Sequence, residues 1–255
     1  MGGPASPADS KSSVKPRHVL CFLGGENARA HLAEAASSGI EQFATGFTVD
    51  TKYSLDRPDS KMDRSFGVCW DRVEPGAWTS ADEEAVRNHK SVLYVLSPPM
   101  TADTALTIST AALFLVEVVM RAGALAVKGE SAGVAHGLAR WRQLALRASA
   151  ALEADDDVAL RRACRLAFAK RPLESEKYVE SVGYHLVGLP EVYVAKALAS
   201  DLEKAAMMDT VADDLGKRGV DAVLRDRKAR LSFASGYAED DFKFNPYGIV
   251  YIDQL

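Results

Sequence analysis

The sequence lacks the patterns by which most metal and cofactor sites are identified. It contains three cysteines, none of them in a C-x-x-C pair, which argues against a zinc ribbon or a disulfide framework and favours buried thiols in a reducing compartment. Its five histidines show no H-x-x-x-H spacing, and neither a G-x-G-x-x-G nor a Walker pattern occurs. The sequence therefore predicts no metal and no cofactor.

Targeting signals and a basic surface are also missing. Residues 1–14 are rich in Gly, Pro, Ser and Lys and contain no apolar stretch, so we expect a disordered tail rather than a secretory signal. The formal net charge of -4 argues against nucleic-acid binding. The apolar run 105–127 contains Glu117 and Arg121, and two charges inside a bilayer would cost several kcal/mol. We therefore expect a cytoplasmic protein that binds neither nucleic acid nor membranes.

The strand and helix patterns that are present alternate along the chain. They predict one α/β or α+β domain over residues 15–255, built from a mixed β-sheet and packed helices. Two sub-halves, 15–151 and 173–255, would be joined by a helical segment. The apolar run "SVLYVLS" predicts a buried strand, and apolar positions at steps of three, four and seven predict a core helix from Thr104 to Ala122.

Four further segments bear on the position of candidate site residues. The stretch "SFGVCWDRV" is rich in β-forming residues and is interpreted as a strand. The segments "YVESVGYHLVGL" and "EVYVAKAL" are interpreted as paired strands, which places His185 inside a strand. The stretch "DLEKAAMMDTVADDLGKRG" predicts a helix.

The segment Gly129–Gly133, "GESAG", fits the G-x-S-x-G nucleophile elbow of the α/β-hydrolases. An apolar run precedes it, and the residues from Val134 to Leu146 are predicted as a helix. In the hydrolase interpretation Ser131 is the nucleophile and His185 the general base. The acid that orients the histidine would be one of a set lying between them, namely Asp155, Asp156, Asp157, Glu174 and Glu176.

The same five residues have simpler interpretations. Both glycines allow a sharp turn, and Ser131 can cap the N-terminus of the following helix. A third interpretation is anion binding at that helix terminus. The sequence favours the turn and cap, because a triad histidine usually lies on a loop and no acid is singled out.

Four segments together resemble a known bacterial family. They are "SVLYVLSPP", "ALFLVEVVMRAGALAVKGESAGV", "YHLVGLPEVYV" and "NPYGIVYI". The pattern is similar to the family catalogued as domain of unknown function 4261, over roughly Leu93 to Ile252. This resemblance carries no catalytic residues over to the chain. It implies that the Ser131 turn need not be an elbow, and it implies a toxin-neutralising or accessory binding role.

These observations predict a non-enzymatic protein that binds another protein. The most concrete version is an immunity-type or accessory partner of a bacterial toxin or secretion system. The acidic balance of the chain suits a basic toxin domain as the partner. The alternative is an esterase-like serine hydrolase that uses Ser131 and His185.

Overall fold

The computed structural model describes residues 15–70, 74–233 and 244–254. The tail predicted for residues 1–14 lies outside this part of the chain. The first of two sheets is antiparallel throughout and has the strand order β2-β3-β1-β4-β5. Its strands are β1 (Val19–Gly24), β2 (Thr48–Leu55), β3 (Ser91–Leu96), β4 (Ala126–Gly129) and β5 (Val134–His136).

The second sheet follows in the C-terminal part of the chain and has the strand order β6-β7-β8-β10-β9. It is mixed, because β8 and β10 are parallel whereas its other neighbours are antiparallel. Its strands are β6 (Lys170–Glu174), β7 (Tyr178–Val182), β8 (Glu191–Ala195), β9 (Arg230–Ser232) and β10 (Ile249–Ile252). The predicted pairing of the two segments that became β7 and β8 is confirmed.

Helices cover both sheets. The described residues contain α1 (Ala28–Gln42), α2 (Lys61–Gly67), α3 (Ser80–Asn88), α4 (Ala102–Arg121), α5 (Leu138–Glu153), α6 (Asp157–Phe168), α7 (Asp201–Arg218) and α8 (Val220–Asp226). Short 3-10 helices lie at Tyr184–Val187 and Lys196–Leu198. The predicted α+β class is confirmed, with two sheets in place of one.

Strand β1 shows why the first sheet is covered on both faces. Successive side chains of a strand point to opposite faces. Leu20 and Phe22 accordingly pack into the main core, whereas Cys21 and Leu23 pack into a second, smaller core. Both sets are fully buried, which accounts for the uninterrupted apolar pattern of this strand.

The main core is built around α4, which contacts α1, α5, α6 and the first 3-10 helix. Leu113, Val116 and Met120 of its predicted apolar stripe are buried. Half of the apolar stretch that would be long enough to cross a membrane is buried within the fold. The helix is therefore a core helix, as predicted, although it begins two residues before the expected start.

The same core includes residues of both sheets, from Leu20 in β1 to Val250 in β10. The described residues therefore form one domain in which the two sheets correspond approximately to the predicted sub-halves.

The prediction of a strand at "SFGVCWDRV" is wrong for its first residues, since Ser65 and Phe66 lie in α2. The Asp59 side chain accepts a hydrogen bond from the Lys61 N–H (2.9 Å) at the start of this helix. Met62 and Phe66, four residues apart, are both buried in the second core. Burial of this i,i+4 pair outweighs the β propensity of the segment.

Candidate functional site

The segment Gly129–Gly133 forms a β-hairpin turn rather than a strand-to-helix elbow. The chain leaves β4, reverses within four residues and returns as β5, with Gly129 opposite Val134. The Gly133 N–H donates to the Glu130 carbonyl (3.1 Å), and Gly133 adopts a φ of 65° that favours glycine. The predicted helix from Val134 is therefore wrong at its start, because α5 begins only at Leu138.

The Ser131 hydroxyl is bonded to the backbone at the entry of β1. It donates to the Arg17 carbonyl (2.7 Å) and accepts from the Val19 N–H (3.0 Å). The Glu130 N–H donates to the Val19 carbonyl (2.8 Å). These three bonds continue the β1–β4 ladder beyond the last strand pair. Ser131 is thus neither a helix N-cap nor an elbow serine with an exposed hydroxyl beside a base.

Ala132, in the same turn, packs against the second half of the chain. Gly183, just after β7, has a φ of 100°, and a Cβ built on it would lie 2.6 Å from the Ala132 Cβ and 2.9 Å from the Phe168 carbonyl oxygen. Only a glycine allows this approach without displacement of the backbone. The Ser131 turn is therefore a point of contact between the two sheets.

His185 lies on the first 3-10 helix, not inside a strand as predicted. Its Nδ1 is 2.9 Å from Oε1 of the Glu191 carboxylate. This carboxylate also accepts from the Ser181 hydroxyl (2.6 Å) and from the N–H groups of Gly183 (3.0 Å) and His185 (3.3 Å). Glu191 follows His185 in the chain and is none of the predicted orienting acids.

The Glu191 carboxylate is buried, and burial of a charge is costly unless donors surround it. Four donors, the Ser181 hydroxyl in β7 and three groups of the loop between β7 and β8, satisfy this requirement and fix the loop around the carboxylate. The His185–Glu191 pair thereby stabilises the segment that carries Gly183. Its geometry explains the fold of this loop.

A serine–histidine contact does occur, but between residues that the sequence did not single out. His18 Nε2 lies 2.7 Å from the Ser109 hydroxyl, which donates to the Leu186 carbonyl (2.5 Å). Because the hydroxyl proton is directed at Leu186, Nε2 must carry the proton in the other bond. His18 therefore acts as a donor to Ser109, the reverse of a general base.

This pair is enclosed in the main core. His18 is 1% and Ser109 0% exposed, and the His18 ring contacts the Phe168 ring at a centroid distance of 4.4 Å. Burial, together with the nearby His185, lowers the pKa of His18 to about 3. A neutral imidazole in this position bridges β1, α4 and the first 3-10 helix.

The sequence contained one sign of this contact. Ser109 is a polar residue inside the apolar pattern of α4, and a buried hydroxyl needs a partner. The partner could not be identified because His18 lies 91 residues away in the chain.

On the opposite face of the first sheet, Lys128 is buried in the second core. Its Nζ donates to the Ser65 hydroxyl (2.5 Å), and the Glu130 carboxylate pairs with it. Burial raises the pKa of the neighbouring Cys69 thiol, and the Lys128 charge offsets this only in part. Burial also raises the pKa of Cys21. The Lys128 side chain is thus held inside the fold by a hydroxyl and a carboxylate.

All three cysteines are free and buried, as predicted. Within residues 15–70, 74–233 and 244–254, no three His, Cys, Asp or Glu side chains are grouped as metal ligands. The interior polar groups described above are thus engaged in holding the fold.

The surface offers a different kind of candidate at the start of α7. Leu202 is 70% exposed, more than any other large apolar side chain among the described residues. Asp201 and Glu203 flank it, and Ala206 is exposed one turn further along. We call Asp201–Ala206 the α7 surface.

The first turn of α7 is held rigidly. The Ser200 hydroxyl accepts from the Glu203 N–H (3.4 Å), and the Glu203 carboxylate accepts from the Ser200 N–H (2.9 Å). This capping box fixes the helix start. The Ser200 bonds also lower the pKa of Glu203, which keeps its negative charge, whereas Asp201 is paired with Lys204 (2.9 Å).

A scan of family models, a search of the curated proteins and a search of the solved structures each returned no match to this chain. The resemblance described for Leu93 to Ile252 therefore stays a prediction.

Proposed function

We propose that this chain is a non-enzymatic, cytoplasmic protein that binds another protein. Its most concrete form is an immunity-type partner of a basic toxin domain, or an accessory protein of a secretion system. The single observation that carries the proposal is the exposure of Leu202 between two carboxylates on the rigid first turn of α7.

The arrangement suits a protein interface. Binding energy at interfaces is concentrated in a few apolar anchors surrounded by a polar rim. Burial of a leucine gives about 1.5–3 kcal/mol, and a preformed helix turn loses little conformational entropy on binding. The acidic rim, on a chain of formal net charge -4, favours a basic partner and accelerates its encounter.

The hydrolase alternative has no comparable support. The Ser131 hydroxyl bonds to Arg17 and Val19, and His185 bonds to Glu191. Neither contact would prepare a serine for attack on an acyl group.

The test uses two matched leucine variants of the full chain. Leu202→Ala removes the proposed anchor. Leu146→Ala removes a side chain of similar exposure, 64%, on α5, where Arg142 and Arg147 replace the acidic neighbours. Each tagged variant is expressed in the native host, and retained proteins are identified by mass spectrometry at low and high salt.

We expect the wild-type chain and Leu146→Ala to retain the same basic protein. Leu202→Ala should bind that protein at least about 30-fold more weakly, the loss typical of an interface hot spot. Retention should also fall with salt, because the rim charges are exposed. The proposal is overturned if the wild type retains no basic protein, or if both variants retain it equally.

A further inference from the structure

A cavity of about 270 Å³ lies between α2 and α3, on the side of the first sheet that holds the second core. Asp63, Phe66 and Gly67 line it from α2. Glu83, Val86 and Arg87 line it from α3, and Trp78 lies just before that helix. Neither the Ser131 turn nor the α7 surface takes part in this cavity.

The floor of the cavity is apolar and aromatic. Phe66 and Val86 are buried, and the Trp78 ring lies 6.2 Å from the Phe66 ring, inclined by 38°. Aromatic faces attract organic cations, and Trp attracts them most strongly. A hydrated metal ion would gain nothing from such a floor, whereas an alkyl chain would.

The rim of the cavity has two carboxylates that form no ion pair with any described residue. Asp63 and Glu83 are exposed, and neither takes part in an ion pair or a side-chain hydrogen bond in that part of the chain. Arg87 lies beside Glu83, but its Nε donates to the Glu83 backbone carbonyl (3.4 Å) rather than to the carboxylate. A ligand would therefore meet two available acceptors above an aromatic floor.

From this combination we infer that the cavity binds an alkylammonium group. The ammonium would lie between Asp63 and Glu83, and its alkyl stem would pack on Phe66, Val86 and Trp78. The volume is slightly below the usual range for drug-sized ligands, so a single short stem fits. The same chemistry is provided by a free small amine and by a lysine side chain of a peptide.

The experiment follows the indole N–H signal of Trp78 in NMR spectra of the whole chain, assigned with Trp78→Phe. The probes are n-butylammonium and the uncharged 1-butanol, which has a stem of the same length. A second pair consists of an N-acetylated Gly-Lys-Gly amide and the same peptide with acetyl-lysine.

Four variants locate the site. Asp63→Asn and Glu83→Gln each remove one carboxylate, and Glu84→Gln is the matched control, since Glu84 is exposed on α3 but does not line the cavity. Gly67→Leu adds a side chain to the lining of the cavity, at a position where a Cβ meets no atom within 4 Å. The folded state of each variant is checked by its amide spectrum.

We expect n-butylammonium to shift the Trp78 signal saturably and 1-butanol not to. Binding should weaken roughly two- to fivefold in Asp63→Asn and Glu83→Gln, the range for exposed ion pairs. It should be unchanged in Glu84→Gln and lost in Gly67→Leu. Binding of the lysine peptide but not of its acetylated form would extend the site to protein ligands, whereas binding of butylammonium alone would limit it to free amines. Equal shifts with 1-butanol, no shift with either amine, or unchanged binding in Gly67→Leu would overturn the inference.

Discussion

Gly183 and Ala132 lie so close together that a Cβ on Gly183 would stand 2.6 Å from the Ala132 Cβ. One belongs to the loop after β7 and the other to the turn between β4 and β5. This contact joins the two sheets at a segment that resembles a nucleophile elbow, and the Ser131 bonds hold the same segment to the entry of β1 within the first sheet. The G-x-S-x-G pattern is accounted for by packing and backbone geometry.

The first prediction concerns Gly183→Ala. Backbone strain at a φ of 100° and overpacking against Ala132 should together lower the free energy of unfolding by roughly 2–5 kcal/mol. Gly123→Ala is the matched control, since Gly123 has the same φ of 100° but no atom within 4 Å of its added Cβ. It should lose only the strain contribution, about 1 kcal/mol. Urea denaturation measures both, and equal losses would show that the Ala132 contact contributes nothing.

The second prediction concerns stability in acid. His18 has a folded-state pKa of about 3, below its ordinary value of 6.5. The unfolded chain therefore binds a proton at a higher pH than the folded chain does. The contribution of His18 is fully present above pH 6.5 and is lost as the pH falls towards 3, by about 1.4 kcal/mol per pH unit.

The test compares this slope between variants. His18→Gln keeps an N–H donor for Ser109 but does not titrate, so its unfolding free energy should depend less on pH over this interval. His31→Gln, at an exposed position of α1, should retain the wild-type slope. Identical slopes in all three proteins would contradict the enclosure of His18 as a neutral donor.

The third prediction concerns α4. Leu113→Ala should lower the free energy of unfolding by about 2–5 kcal/mol, because the side chain is fully buried. Glu117→Gln should cost less, about 0.5–1 kcal/mol: the Glu117 side chain is largely buried, but it pairs with Arg121 (2.8 Å) and Arg142 (3.9 Å), whose side chains are exposed. Thermal melts compare the two variants. Small, equal shifts would place the helix at the surface.

Hydrophobic patterns that extend over a whole helix or strand predicted the fold well. The apolar stripe of α4, the apolar run of β3 and the pairing of β7 with β8 are all present in the structure. In each case several residues contribute to the same pattern, so a single exception does not alter the prediction. These elements place the core and define the α+β class.

Local patterns failed where tertiary contacts determine the secondary structure of a short segment. The segment "SFGVCWDRV" has β-forming residues, but its first residues lie in α2, where Phe66 packs with Met62 in the second core. The residues after Gly133 form β5 because β4 offers an edge for pairing. The His18–Ser109 contact joins residues 91 positions apart, so no local spacing indicates it. The His185–Glu191 contact is local, but the residues around His185 form a 3-10 helix where the sequence predicted a strand.

The most direct test concerns Ser131, for which a structural role and a nucleophilic role predict opposite results. Wild-type protein is incubated with a fluorophosphonate probe and its intact mass is measured, and the unfolding free energy of Ser131→Ala is determined in urea. We predict no added mass. Ser131→Ala should lower the free energy of unfolding by about 1–3 kcal/mol, because the Arg17 carbonyl and the Val19 N–H lose their partner. Covalent labelling that maps to Ser131, together with unchanged stability of Ser131→Ala, would contradict the account and restore the hydrolase interpretation.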